Sequence, residues 1–204
     1  MQQPKKIVAV IGSYRKGGII DSAVDEVLAA AGEQGASVSK IYLLDKHIEF
    51  CSNCRSCSQD EGDRRGYCAI RDEMATVLDE LESADGIVLG SPVNFFTVTA
   101  LTKRFVERLV CYAWWPWGAR APRMRTTERP RKAVLLLSCA MPAIMARIFC
   151  GAPRVLKSAA AALGARTVGL LIIGQVAQQE HQALPARARN NARRLGYKLT
   201  AGFR

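Results

Sequence analysis

Short apolar runs alternate along this chain with segments whose apolar residues recur at helical spacing, and that alternation limits the folds open to it. Ile7–Ile11 is an unbroken apolar run ended by Gly12 and Ser13, the pattern of a strand buried on both faces. Val38–Leu44, Gly86–Gly90, Ala133–Ser138 and Thr167–Ile173 supply four more strand candidates. Between them, Asp21–Ala31, Asp72–Leu81, Thr99–Leu109 and Pro153–Leu163 place apolar side chains on one helix face. A last helix is expected from Pro185 to about Ala201, because proline suits a first helical position. Strands and helices in strict alternation predict an α/β protein with a doubly wound, five-stranded parallel sheet and helices on both faces. Ligands of such sheets bind beyond the carboxyl ends of the strands, where the winding direction reverses. The loops after the first, third and fourth strands are therefore where chemistry is expected.

The 204 residues suit one substantial core, and no linker divides them, so residues 1–204 are expected to form a single domain. No apolar stretch approaches the ~18 residues needed to span a bilayer. The apolar run at Ile7–Ile11 is also too short for a leader core. The expectation is a cytoplasmic protein without a membrane span.

Gly12-Ser13-Tyr14-Arg15-Lys16-Gly17-Gly18 joins the first strand to the first helix. Its glycines, the Ser13 hydroxyl, two cations and the helix amino terminus make the parts of a phosphate cradle. It lacks the Gly-x-Gly-x-x-Gly spacing of a dinucleotide fold and the Lys-Ser/Thr ending of a Walker loop. After the third strand, Ser91-Pro92-Val93-Asn94-Phe95-Phe96-Thr97 offers a flat apolar contact and free loop amides.

Together these two loops resemble those of the NADPH-dependent FMN reductases and their iron–sulfur flavoprotein relatives. The first usually reads Gly-Ser-Pro-Arg, a Gly-Gly turn, then Asn-Thr; here Tyr14 replaces the proline and Ile19-Ile20 replace Asn-Thr. The second usually reads Ser/Thr-Pro-Val-Tyr, with Asn94 here in the tyrosine's place, followed by a helix carrying Lys103 and Glu107-Arg108. The resemblance implies a flavodoxin-like sheet of strand order 2-1-3-4-5. It further implies FMN held by Ser13, Arg15, Gly17, Gly18, Ile19 and Ile20, by Pro92, Val93, Asn94, Phe95, Phe96 and Thr97, and by Cys139, Ala140 and Met141 after the fourth strand. Asp21 or Ser22 is expected to cap the first helix.

Seven cysteines is an odd number, and four of them, Cys51, Cys54, Cys57 and Cys68, crowd into 18 residues between the second strand and second helix. Such clustering reads as metal binding or redox chemistry rather than disulfide bridging. The run of three at Cys-x2-Cys-x2-Cys is more like iron–sulfur ligation than zinc. Iron–sulfur flavoproteins carry a compact cluster here, with a last gap shorter than the ten residues of this chain. A [4Fe–4S] cluster, free or redox-active thiols, and zinc all stay open.

Charge is uneven: residues 1–101 sum to −5 and residues 102–204 to +16. The basic residues are scattered, which favours a solvated surface. One exception, Arg120–Lys132, holds six cations against Glu128 and could meet NADPH phosphates; no nucleic-acid motif accompanies it. All three tryptophans lie in Trp114-Trp115-Pro116-Trp117, expected to pack on a partner subunit or to shield the flavin. His47 and His181 lack metal-ligand spacing, and no Gly-x-Ser-x-Gly elbow is present. The resemblance implies an FMN-dependent NAD(P)H oxidoreductase, a homodimer or homotetramer, passing electrons to a quinone, a flavin, another small acceptor or a redox protein. The alternatives are an iron–sulfur flavoprotein relaying electrons to a redox partner, and a redox-responsive nucleic-acid-binding protein. No side chain is expected to act as acid or base, since the flavin itself carries the chemistry.

Overall fold

The structure, a computed structural model, describes residues 3–202; the outermost residues of the expected 1–204 domain lie outside the described residues. Its elements run β1 (Lys6–Ile11), α1 (Ile19–Glu33), β2 (Ser37–Tyr42), α2 (Met74–Glu82), β3 (Gly86–Asn94), β4 (Thr97–Val98), α3 (Ala100–Arg108), β5 (Ala113–Trp114), β6 (Arg123–Met124), β7 (Arg131–Ser138), α4 (Ala143–Phe149), α5 (Ala152–Ala162), β8 (Ala165–Ile173) and α6 (Ala186–Thr200). The main sheet has the order β2-β1-β3-β7-β8, and every pair along that path is parallel. This is the doubly wound 2-1-3-4-5 arrangement expected from the sequence. Its winding reverses between β1 and β3.

The side-chain alternation of the strands divides the core. Ile7, Ala9 and Ile11 of β1, with Val88, Val134 and Leu136, pack against α1 and α6. Val8, Val10, Ile87, Leu89, Leu135 and Leu137 face the other layer, which includes α2, α3 and α5. Each fully buried Ile or Leu contributes ~1.5–3 kcal/mol, and two covered faces explain why these strands read as continuous apolar runs.

Several elements go beyond the sequence reading. Helix α1 begins at Ile19, two residues early, because Ile20 is fully buried in the core beneath it. Strand β3 continues past Gly90 to Asn94 and turns back as the hairpin partner of β4, pairing Val93 with Val98 and Asn94 with Thr97. Helix α4 was not anticipated: only Ala146 of it is buried, so it lacks the apolar stripe that periodicity detects. Strands β5 and β6 form a separate two-stranded ribbon. Among the described residues, no helix is long and apolar enough to cross a membrane.

Candidate flavin and cysteine sites

The loops after β1 and β3 are fastened together at the switch point. Thr99, the cap of α3, accepts from Thr102 N and donates from Oγ1 to the Gly12 carbonyl at 2.5 Å. Thr102 Oγ1 donates to Ser91 Oγ at 3.0 Å, and Ser91 Oγ in turn accepts from Thr99 N at 3.2 Å. Gly12 N donates to the Gly90 carbonyl at 2.8 Å. Ser91, Thr99 and Thr102 are all buried, so this satisfied network rigidifies the base of the site.

Above that base the first loop turns. Ser13 is buried, and its hydroxyl accepts from Arg15 N at 3.1 Å. Gly17 has φ +72°, and Gly18 stands at the N-cap of α1 without a side-chain cap. The first-turn amides of α1 therefore have no intrahelical acceptor, which suits an anion. The side chain of Ile20 is committed to the core and Ile19 packs beside it, so these two positions have only backbone to offer a ligand.

Asp21 and Ser22 do not cap α1 in the expected way. The buried Asp21 carboxylate reaches back to accept from Gly17 N at 2.7 Å. It also receives Lys40 Nζ at 3.0 Å and Tyr42 Oη at 3.0 Å. Burial alone would raise the Asp21 pKa; the hydrogen bonds from Gly17, Lys40 and Tyr42 outweigh it and hold the carboxyl below its usual value. Ser22 Oγ reaches only the Gly17 carbonyl, at 3.5 Å. Arg15 is exposed, and its guanidinium donates to the Glu180 carbonyl at 3.1 Å, tying the first loop to the segment after β8.

The β3–β4 hairpin has an unusual tip. Phe95 and Phe96 both lie in the left-handed region, with φ of +46° and +65°, where two-residue hairpin turns normally place Asn-Gly. Both rings are open to solvent, Phe95 at 95% and Phe96 at 55%. They stand edge to face, with centroids 6.2 Å apart. Pro92, Val93 and Thr97 are half-buried and Asn94 is exposed. The Phe96 carbonyl accepts from Gly151 N at 2.8 Å. After β7, Cys139 is buried, Met141 half-buried and Ala140 exposed. Cys139 N donates to the Ile173 carbonyl, and the Cys139 carbonyl accepts from Val176 N. All three loops expected to hold the flavin thus sit at the carboxyl ends of β1, β3 and β7. Their glycines, uncapped amides, hydroxyl and cation suit a phosphate, and the exposed aromatic tip suits a flat ring.

The cysteines form a second site. The long segment between β2 and α2 carries two 3-10 turns, Leu43–Asp45 and Ser56–Ser58, and Asn53 and Arg55 just before the second have φ of +54° and +60°. These reversals turn Cys51, Cys54, Cys57 and Cys68 to line one small cleft, together with Arg55, Ile70, Arg108 and Val110. Burial pushes the Cys57 thiol up, and the neighbouring Cys68, Cys51 and Cys54 push it further. Cys54 is exposed and held low, chiefly by its hydrogen bond with Ser56. Cys111 lies nearby but in the core, pushed up to about 12 by burial.

Two cations complete this cleft. Arg108 Nη2 donates to Cys68 Sγ at 3.4 Å. Arg55 Nε is buried with no hydrogen-bond partner. A guanidinium bonded to one of the four thiols, and an orphaned donor on a second arginine of the same cleft, suit an anionic sulfur-ligated centre. Thiolates on one zinc ion, with Zn–S of ~2.3 Å, must crowd within ~4 Å of one another. Among the described residues no group of three such donors is close enough to share a single ion. A four-iron cluster would instead spread its cysteines over four separate metals.

A family model described as NADPH-dependent FMN reductase matches residues 5–147. The chain belongs to the NADPH-dependent FMN reductase family. Its relatives include an iron–sulfur flavoprotein of Archaeoglobus fulgidus, 33% identical over 107 residues, covering 52% of this chain and 46% of the relative. An iron–sulfur flavoprotein of Methanocaldococcus jannaschii is 36% identical over 103 residues, covering 50% and 51%. The chain thus spans about half the length of the curated relatives it matches. Among solved structures, the NAD(P)H:quinone oxidoreductase from Methanothermobacter marburgensis superposes with a TM-score of 0.73 at 16% identity, covering 97% of this chain and 100% of that one. That likeness establishes the flavodoxin-like fold.

Within this member of the family, sequence reasoning missed the residues that act by packing. A Cβ on Gly12 would lie 1.8 Å from Thr102 Oγ1, and one on Gly66 would lie 1.7 Å from the Cys57 carbonyl oxygen. Only glycine lets the first loop approach α3, and only glycine lets residue 66 cross the cysteine loop. Neither position carries a motif; the signal exists only once the two segments meet. The tryptophan segment also has partners that the sequence did not announce. It packs within the chain, against the cysteine loop. Arg55 stacks on the Trp115 and Trp117 rings at 3.8 and 4.3 Å and donates to the Trp115 carbonyl at 2.6 Å. Trp115 N donates to the Ser58 carbonyl, and Trp114 Nε1 to the Gln59 carbonyl. In the Arg120–Lys132 loop, Arg125 Nη2 donates to the Cys57 carbonyl, so one of its cations is spent on the same loop.

Proposed function

We propose that this chain is an FMN-dependent NAD(P)H oxidoreductase that passes electrons to a quinone, a flavin or another small acceptor. The observation that carries the reading is the buried Gly12–Thr99–Thr102–Ser91 network, which fastens a phosphate-type loop to an exposed aromatic hairpin at the switch point of the sheet. Bound FMN would accept a hydride from the nicotinamide and release electrons to the acceptor. Ser13 and the amides of Gly17, Gly18, Ile19 and Ile20 would hold the phosphate, with Arg15 supplying charge. Pro92, Val93, Asn94, Phe95, Phe96 and Thr97 would border the ring on one side, and Cys139, Ala140 and Met141 on another. Asp21 keeps the loop in shape without opposing the phosphate, because Lys40 pairs with its charge at 3.0 Å. Self-association as a dimer or tetramer belongs to the same proposal. Ile144, Met145, Ile148 and Phe149 of α4 lie exposed, more apolar surface than one short helix usually leaves to water.

A second reading is favoured by the cleft that all four clustered cysteines line. In it, Cys51, Cys54, Cys57 and Cys68 hold a four-iron cluster, and the chain relays electrons between that cluster and FMN for a redox protein. One experiment separates the two: anaerobic purification, a visible spectrum, and iron and sulfide assays on the same sample. Flavin peaks with no iron support the reductase with free thiols. About four irons and four sulfides per chain beside the flavin support the relay. A colourless protein that takes up no added FMN would overturn both.

A further inference from the structure

Helix α3 ends on a buried guanidinium with more partners than helix termination needs. The Arg108 side chain is 2% exposed and its partner Asp72 is 1% exposed. Nη1 donates to Asp72 Oδ2 at 2.6 Å and to the Glu49 carbonyl at 2.9 Å. Nη2 donates to Asp72 Oδ1 at 3.2 Å and to Cys68 Sγ at 3.4 Å. The carboxylate is itself pinned, accepting from Glu49 N at 2.7 Å and Met74 N at 3.0 Å. The fork therefore has one orientation, and in that orientation the second N–H of Nη2 meets a cysteine.

Stability alone does not explain the pair. A buried ion pair is often no more stabilising than apolar side chains of the same volume. What a fixed guanidinium does supply is a positive charge and an N–H donor at a sulfur. Hydrogen bonds to ligand sulfurs and local charge are among the factors that set the potential of a cysteine-ligated iron–sulfur centre. Arg65 offers an internal comparison: it is also paired, with Asp79 at 2.5 Å and Glu82 at 3.3 Å, yet it does not line the cysteine cleft.

We infer that Arg108, held by Asp72, is a positioning residue that orients Cys68 and raises the reduction potential of the sulfur-ligated centre in the cysteine cleft. The inference rests on the cluster reading given above. The reduced centre carries one more negative charge than the oxidised one, so a nearby cation and donor favour reduction. Removing them shifts the equilibrium toward the oxidised form.

The test uses the anaerobically purified full chain, titrated with dithionite and followed by electron paramagnetic resonance of the reduced centre. Iron and sulfide are assayed first on the unaltered protein, and their absence would end the cluster reading and this inference with it. With the centre present, Arg108→Gln should lower the one-electron reduction constant at least tenfold, a fall of about 59 mV. Arg108→Lys keeps a charge for Asp72 but loses the fork, and should fall part of the way. Arg65→Gln should leave the potential unchanged. Variants with full iron and an unaltered potential would overturn the inference while leaving the cluster reading intact. If Arg108→Gln fails to fold, the Lys variant alone decides. Loss of the centre from both, with thermal unfolding unchanged, would reduce Arg108 to a structural role and also overturn it.

Discussion

A Cβ placed on Gly12 would sit 1.8 Å from Thr102 Oγ1, so the loop after β1 and the first turn of α3 meet with no room for a methyl group. Gly12→Ala must push the two apart and disturb the hydroxyl network beneath the flavin loops. Overpacking of this kind costs ~1–3 kcal/mol, which for a chain of this size is a fall in Tm of about 2–12 °C. The double variant Gly12→Ala/Thr102→Ala should recover part of it. Calorimetry on the three proteins checks this; an unshifted midpoint for the single variant would refute the contact.

Arg15 is exposed, and its guanidinium is anchored to the Glu180 carbonyl at 3.1 Å. Arg15→Ala should weaken FMN binding at least tenfold, about 1.4 kcal/mol, through loss of a charged phosphate partner. Fluorescence titration of the flavin-free protein measures it. An unchanged Kd would mean that the phosphate sits elsewhere.

Phe95 and Phe96 occupy left-handed backbone that costs an ordinary residue ~1–2 kcal/mol. Replacing them with Asn-Gly, the pair suited to a tight hairpin, should stabilise the chain by a similar amount. The same change should weaken FMN binding, since both exposed rings go. If the strained tip holds the flavin, the two readouts move in opposite directions. A variant that binds FMN as before would remove the hairpin tip from the flavin site.

Asp21 contributes a pH dependence with a definite sign. Its folded pKa lies below the ordinary 3.8, so its stabilisation is fully present above that value and is lost as pH falls through the folded value. Asp21→Asn should cost about 1–3 kcal/mol at pH 7, with the difference from the unaltered protein shrinking below pH ~4. Urea midpoints at pH 7 and pH 3 decide the matter. A gap that stays constant across that range would show that the carboxylate charge is not what stabilises the loop.

Much of this protein is written locally. Ile7–Ile11, Ala133–Ser138 and the helices around them announce themselves through periodicities of two and 3.6, because burial on a sheet face or helix stripe repeats with the backbone geometry. The phosphate-type loop and the cysteine run are legible for the same reason, since their chemistry lies within a few consecutive residues. The tertiary structure alone decided the rest. It brought Cys68 to Arg108 and Gly12 to Thr102 from 40 and 90 positions away, made glycine obligatory at positions 12 and 66, and turned the tryptophan segment onto the cysteine loop. Such contacts leave no periodic trace along the chain, because they depend on which side chains meet after the strands have paired.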